Sequence, residues 1–155
     1  MLSIVSSSVA VTAAMAASLA RLLKPGDVVF VSGQLGAGKT VFIRAAAHEL
    51  GVGELVTSPS FTIAQTYAGR ATIHHLDLYR LDGFDADDAV DLEPFFDKDA
   101  ITFIEWPEQA KLFLEEPAVV VKLEHVDEHS RRISFLRPRE DLKKSLEELV
   151  AGTRH

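Results

Sequence analysis

Gly33-Gln34-Leu35-Gly36-Ala37-Gly38-Lys39-Thr40 is the stretch that decides the fold. It fits the pattern G-x-x-x-x-G-K-[ST] at every position. At average residue usage such a match arises by chance in well under ~1% of chains of this size. Glycines let the backbone enter dihedral regions closed to other residues and come close to a phosphate. The N–H groups then turn inward as an anion nest, and a helix N-terminus adds partial positive charge. Lys39 supplies a point charge for β- and γ-phosphates, and the Thr40 hydroxyl is a ligand for Mg²⁺. The plain alternative is a glycine-rich turn with no ligand.

The flanks provide the context that this motif requires. Asp27–Ser32 is a continuous apolar run bounded by turn signals, which reads as a strand buried on both faces. Lys39–Leu50 reads as a helix, stopped by Gly51 and Gly53. Upstream, Leu2–Val5 reads as a short strand and Val9–Leu23 as a helix that Thr12 or a nearby Ser begins and Lys24-Pro25-Gly26-Asp27 ends. Downstream, Phe61–Tyr67 and Thr72–Leu78 are β-rich runs joined by Ala68-Gly69-Arg70 as a hairpin. Phe84–Val90 reads as a short helix and Ala100–Ile104 as a buried strand. Val119–His125 and Arg131–Leu136 form a second hairpin, and Asp141–Val150 a terminal amphipathic helix. Buried strands mixed with hairpins predict an α/β protein with a three-layer P-loop NTPase fold around a mixed, largely parallel central sheet.

The chain has 155 residues and a net charge of −7, with 47% hydrophobic residues and no cysteine. That length predicts one domain, residues 1–155, with a C-terminal hairpin and helix from about 118 to 151. The absence of cysteine excludes disulfides, thiolate metal sites and a Cys nucleophile. The acidic balance argues against a domain whose main task is gripping a phosphate backbone. Residues 1–20 carry no charged side chain, but a secretory signal needs a basic start, and the first basic residue is Arg21. No run reaches membrane length. We expect a soluble, cytoplasmic protein.

A phosphate loop also needs carboxylates to hold Mg²⁺ and orient the nucleophile. In Ile73–Arg80, alternation puts His75, Asp77 and Tyr79 on one face. Glu105 closes the strand before Trp106 and Pro107. A carboxylate at the end of a buried strand lies where ligands bind in open α/β sheets. Taken alone, each is an ordinary strand-end acid; the phosphate loop turns Asp77 and Glu105 into candidates. Thr57-Ser58-Pro59-Ser60-Phe61 reads as a turn, or as a segment whose hydroxyls sense the γ-phosphate. His125 and His129 have metal-like spacing but fall in a hairpin loop, and His74-His75 reads as strand packing beside the phosphate site. Glu115-Glu116 reads as solvated surface. Arg131, Arg132, Arg137 and Arg139 form a local basic cluster, either solvated or a docking surface.

Five blocks occur in order: GQLGAGKT (33–40), TSPSF (57–61), HHLDLYRL (74–81), DLEPFFD (91–97) and IEWPE (104–108). In this combination the chain resembles the TsaE (YjeE) family of small bacterial ATPases of tRNA threonylcarbamoyladenosine biosynthesis. The resemblance runs from about Val9 to about Glu108. It implies an ATPase with ATP and Mg²⁺ as cofactors and weak turnover alone. It implies TsaB and TsaD homologues as partners, the pair that transfers a threonylcarbamoyl group to the adenosine beside the anticodon. The ATPase then resets that transferase, and tRNA is contacted through the partners. Carried over by motif, Lys39, Asp77 and Glu105 are catalytic, and Thr40 and Glu105 hold the metal. The nucleotide is bound by Gly33, Gln34, Leu35, Gly36, Ala37, Gly38, Lys39, Thr40 and Val41, with Thr12, Ser60 and Trp106. Two positions depart from the family pattern: Gln34 stands where Asp is usual, and Ser60 where Thr is usual.

Two other classes use the same loop. A small-molecule kinase needs an acceptor pocket and a lid bearing arginines, for which Arg131–Arg139 is the candidate. A GTPase-like switch needs N/T-K-x-D, and Asp97-Lys98-Asp99-Ala100 lacks that register.

Overall fold

The computed structural model describes residues 2–56, 64–79, 85–110 and 114–153. Its elements are β1 (Leu2–Ser6), α1 (Val9–Ala20), β2 (Val28–Gly33), α2 (Lys39–Glu49), β3 (Ala64–Ala68) and β4 (Thr72–Asp77). They continue with α3 (Ala86–Leu92), β5 (Ala100–Glu105), β6 (Val119–His125), β7 (Arg131–Leu136) and α4 (Glu140–Thr153). Single 3-10 turns lie at Glu93–Phe96 and Pro107–Ala110.

The described strands form a seven-stranded sheet in the order β1-β7-β6-β2-β5-β4-β3. β6, β2, β5 and β4 are mutually parallel, whereas β7 and β3 run against their neighbours and β1 runs against β7. Five strands therefore point one way and two the other, the mixed and largely parallel sheet expected. β5 is buried along its whole length, as a strand covered on both faces must be.

Alternation along each strand divides the core. Val29, Val31, Ile73, Phe103 and Leu123 pack with Leu19, Phe42, Ile43, Leu142 and Leu146, which places α1, α2 and α4 on one face. Phe30, Leu76, Leu78, Ile104 and Val120 pack with Leu92, Phe95, Phe96 and Ala110, which places α3 and the 3-10 turns on the other. Ala16, Ala20, Ala46 and Ala47 are buried where α1 meets α2, and small side chains there let the two helices lie close.

Local chemistry sets the boundaries. Ser8 caps α1, accepting from Val11 N at 3.2 Å. Of the two starts the sequence left open, the nearby serine and not Thr12 begins the helix; Thr12 lies one turn inside, its hydroxyl 2.7 Å from that of Ser6. The helix also ends at Ala20 rather than Leu23, because Leu22 N and Leu23 N turn back to carbonyls three residues earlier. Asp85 and Asp88 form a reciprocal capping box, so α3 starts at Ala86, two residues later than the sequence predicted. β3 begins at Ala64; the segment Thr57–Phe61, with Ser58 and Ser60, lies outside the described residues.

The basic cluster does not form one surface. Arg131 and Arg132 start β7, while Arg137 and Arg139 follow its other end. Six residues of strand at ~3.3 Å each separate the pairs by about 20 Å. Arg139 bonds buried Asp27 at 2.7 Å and also pairs with Asp141. Arg137 faces Glu116 at 3.9 Å.

Candidate functional site

The loop Gly33–Thr40 joins the central strand β2 to the N-terminus of α2, at the carboxyl ends of the parallel strands. Two glycines are needed there for different reasons. Gly33 has φ 149°, and a Cβ on it would meet the Leu123 carbonyl oxygen of the paired strand at 2.4 Å. Gly38 has φ 101° and open space around it, so only its backbone conformation demands glycine. Gly38 is also the α2 cap and offers no side-chain acceptor. The first N–H groups of the helix therefore point into the loop without a local partner, a geometry that attracts anions.

Lys39 is the first residue of α2 and is buried, with 5% exposure. Its Nζ donates to the carbonyls of Gly33 at 2.7 Å and Gln34 at 2.8 Å. It also sits 4.4 Å from the centre of the Trp106 ring, a cation–π contact. Burial pushes the Lys39 ammonium below the usual lysine range, and the carboxylates of Glu105, Asp77 and Glu108 oppose that shift.

The acids come from the adjoining strands. β4 and β5 pair in register with Asp77 beside Glu105, and Val31 of β2 stands on the other side of Glu105. Register partners share a face, so both acids face the α2 side of the sheet. Glu105 is buried, and its Oε2 lies 2.6 Å from His75 Nε2. Asp77 is half-buried, and its Oδ1 accepts from Tyr79 N at 3.0 Å. Glu108 accepts from Ser32 Oγ at 2.7 Å. Trp106 has φ 56°, a left-handed backbone that costs a non-glycine residue about 1–2 kcal/mol. Its ring contacts both Lys39 and the Tyr79 ring, the latter 4.9 Å away.

Clefts flank the loop on both sides. One, of about 490 Å³, is lined by Ser8, Thr12, Gly36, Ala37, Gly38 and Val41, with Glu128, His129 and Arg131 from the β6–β7 turn. Thr12 and Val41 thus stand together beside the loop, and the Thr12 hydroxyl is engaged by Ser6. The other, of about 400 Å³, is lined by Ser32, Gly33, Gln34, Trp106, Glu108 and the end of β6. Leu35 is exposed at the loop tip and Thr40 is half-buried. Sequence reasoning missed His129 and Arg131 as cleft residues. No local signal marks them: the pairing of Gly33 with Leu123 carries the hairpin turn to the loop. Arg131 Nη1 holds that turn in shape, donating to the carbonyls of Asp127 and Ser130, each at 3.0 Å.

Among the described residues no group of three or more His, Cys, Asp or Glu side chains stands close enough to hold a metal ion. Thr40, Asp77 and Glu105 instead offer a few oxygen donors. Such a set fits Mg²⁺, which keeps waters and takes substrate phosphates rather than an all-protein cage.

The fold and site define a three-layer α/β protein built on a strand–glycine loop–helix unit, with two carboxylates on the strands beside it. The chain belongs to the TsaE family: the family model "Threonylcarbamoyl adenosine biosynthesis protein TsaE" matches residues 6–133. It is 38% identical over 138 residues to the tRNA threonylcarbamoyladenosine biosynthesis protein TsaE of Treponema pallidum, covering 84% of this chain and 96% of that one. It is 33% identical over 125 residues to the Bacillus subtilis protein of the same name, covering 80% and 78%. The crystal structure of Bacillus subtilis YdiB superposes with a TM-score of 0.78 at 27% identity, covering 99% of this chain and 95% of that one. The family takes part in threonylcarbamoyladenosine biosynthesis on tRNA. Among the described residues no helix is long and apolar enough to cross a membrane.

Proposed function

We propose that this protein binds and hydrolyses ATP with Mg²⁺, and that it does so in the cytoplasm to cycle a threonylcarbamoyl transferase of the TsaB–TsaD type. The observation that carries this reading is Lys39. A buried ammonium is held at the N-terminus of α2 by two carbonyls of its own loop, facing register-paired Asp77 and Glu105. An ammonium kept in place this way is poised to exchange backbone carbonyls for phosphate oxygens.

The residues divide the work. The backbone of Gly33–Gly38 cradles the phosphates, and Lys39 screens the β,γ charge. Thr40 and Glu105 hold the metal, which when bound neutralises charge that develops on the transferred phosphoryl. Asp77, beside Glu105, positions the attacking water. The cleft of about 490 Å³ bounded by Thr12, Val41 and the β6–β7 turn takes the nucleoside. Trp106 caps Lys39 and reports on the site. Hydrolysis changes which conformation of the transferase complex is favoured only if the ATP- and ADP-bound states differ in affinity for the partners. The net charge of −7 agrees with tRNA being gripped by those partners rather than by this chain. A kinase reading has less support, because the arginines it would use as a lid sit at opposite ends of β7.

The test is depletion of the protein from its own cells, with threonylcarbamoyladenosine in total tRNA quantified by mass spectrometry. We expect the nucleoside to collapse, and rescue by the wild type but not by Lys39→Ala. Full modification in cells carrying only Lys39→Ala would overturn the role of the loop.

A further inference from the structure

Glu105 is a carboxylate with 3% exposure on a strand otherwise made of apolar residues and one threonine. A buried carboxylate is costly unless it is hydrogen-bonded. Its partner is His75, which is fully buried and lies two residues before Asp77 on the same face of β4. His75 Nε2 stands 2.6 Å from Glu105 Oε2. Among the described residues His75 Nδ1 has no hydrogen-bond partner. That asymmetry assigns the tautomer. With the proton on Nε2, the ring donates to the carboxylate and leaves only a lone pair unsatisfied; the reverse would bury an unpaired Nδ1–H and set the Nε2 lone pair against the carboxylate oxygen. The Glu105 carboxylate is thus tethered through one oxygen, and among the described residues Oε1 has no protein partner.

A pair of apolar side chains would fill the same volume at no loss of stability. The polar pair therefore calls for a reason outside packing. The site supplies one, since Glu105 is the acid that Lys39 and the metal require in a fixed orientation. We propose that His75 is a positioning residue for Glu105, donating from Nε2 to Oε2 so that Oε1 is presented to the metal. This rests on the reading of Glu105 as a metal-associated acid. Partners that orient metal-binding groups from behind typically change metal affinity by about 10- to 100-fold when removed.

The experiment uses the full chain, with ADP as the nucleotide and Trp106 fluorescence as the signal. Mg²⁺ is titrated at saturating ADP for the wild type, His75→Leu, His75→Gln and His75→Asn. Gln carries an amide N–H about where Nε2 lies and reaches Glu105; Asn is too short to do so. We expect the Mg²⁺ midpoint to rise about 10- to 100-fold in His75→Leu and His75→Asn, and to return most of the way in His75→Gln. ADP affinity without metal should stay unchanged, whereas a merely structural role would weaken binding with and without metal alike. In the nucleotide-free, metal-free protein, proton NMR should show a downfield Nε2–H resonance that His75→Gln and Glu105→Gln both remove.

If His75→Leu does not fold, the comparison of His75→Gln with His75→Asn carries the test. Equal midpoints in those two variants, or no change from wild type, would overturn the proposal. A wild type that binds ADP with no dependence on Mg²⁺ would instead overturn the metal reading of Glu105.

Discussion

Gly33→Ala and Gly38→Ala are the same chemical change five residues apart in one loop, and their costs should differ. At Gly38 the added methyl meets nothing within 4 Å, so the cost is that of holding alanine at φ 101°, about 1–2 kcal/mol. At Gly33 the backbone penalty is joined by a collision. The new Cβ would lie 2.4 Å from the Leu123 carbonyl oxygen, an atom fixed in the β2–β6 pairing. Relief requires the two strands to part by several tenths of an ångström, which adds overpacking strain of about 1–3 kcal/mol. Gly33→Ala should therefore cost about 2–5 kcal/mol, summing the two effects. With a urea slope near ~2 kcal/mol/M, the midpoint should fall by about 0.5–1 M for Gly38→Ala and about 1–2.5 M for Gly33→Ala. Equilibrium urea unfolding followed by far-UV circular dichroism measures both. Equal shifts, or a larger shift at Gly38, would refute the argument that space limits one position and backbone conformation the other.

Two further outcomes follow from the ion pairs. Arg139→Ala leaves Asp27 buried without its guanidinium but still accepting from Lys24 N at 3.0 Å. Thermal unfolding should report a loss of about 2–3 kcal/mol, below the 3–5 of a fully buried pair because Arg139 is partly exposed. Asp141 and Glu49 are held below their ordinary values of 3.8 and 4.5, first of all by hydrogen bonds from Arg139 and Arg21. A carboxylate whose pKa is lower in the folded state adds stability above its unfolded pKa and loses it as pH falls through the folded value. Stability should thus decline as pH drops below about 4.5, and Asp141→Asn or Glu49→Gln should each flatten that decline in acid titrations of the unfolding midpoint.

The strand–glycine loop–helix unit was legible because every step in it is local. An apolar run, the glycines and the amphipathic helix each follow from a few consecutive residues. The two acids were legible for a related reason: each ends a buried strand, where a ligand-facing position is set by strand direction alone. Errors at the ends of elements came from contacts that reach only a few residues: the Asp85–Asp88 box starts α3, and three-residue backbone turns end α1 at Ala20.

Sequence by itself thus determined the three-layer class and the strand–loop–helix unit, and put forward Lys39, Asp77 and Glu105 as candidate acting side chains. Only the tertiary structure decided who stands beside them. Pairing β4 with β5 put His75 against Glu105. Pairing β2 with β6 brought His129 and Arg131 to the loop. Packing α1 on β1 engaged the Thr12 hydroxyl with Ser6, and the length of β7 pulled apart arginines that look adjacent in the chain. The His75–Glu105 contact and the approach of the β6–β7 turn to the loop join residues far apart in sequence. Strand order and register create them, and no local pattern of apolar and polar residues encodes which strands will be neighbours.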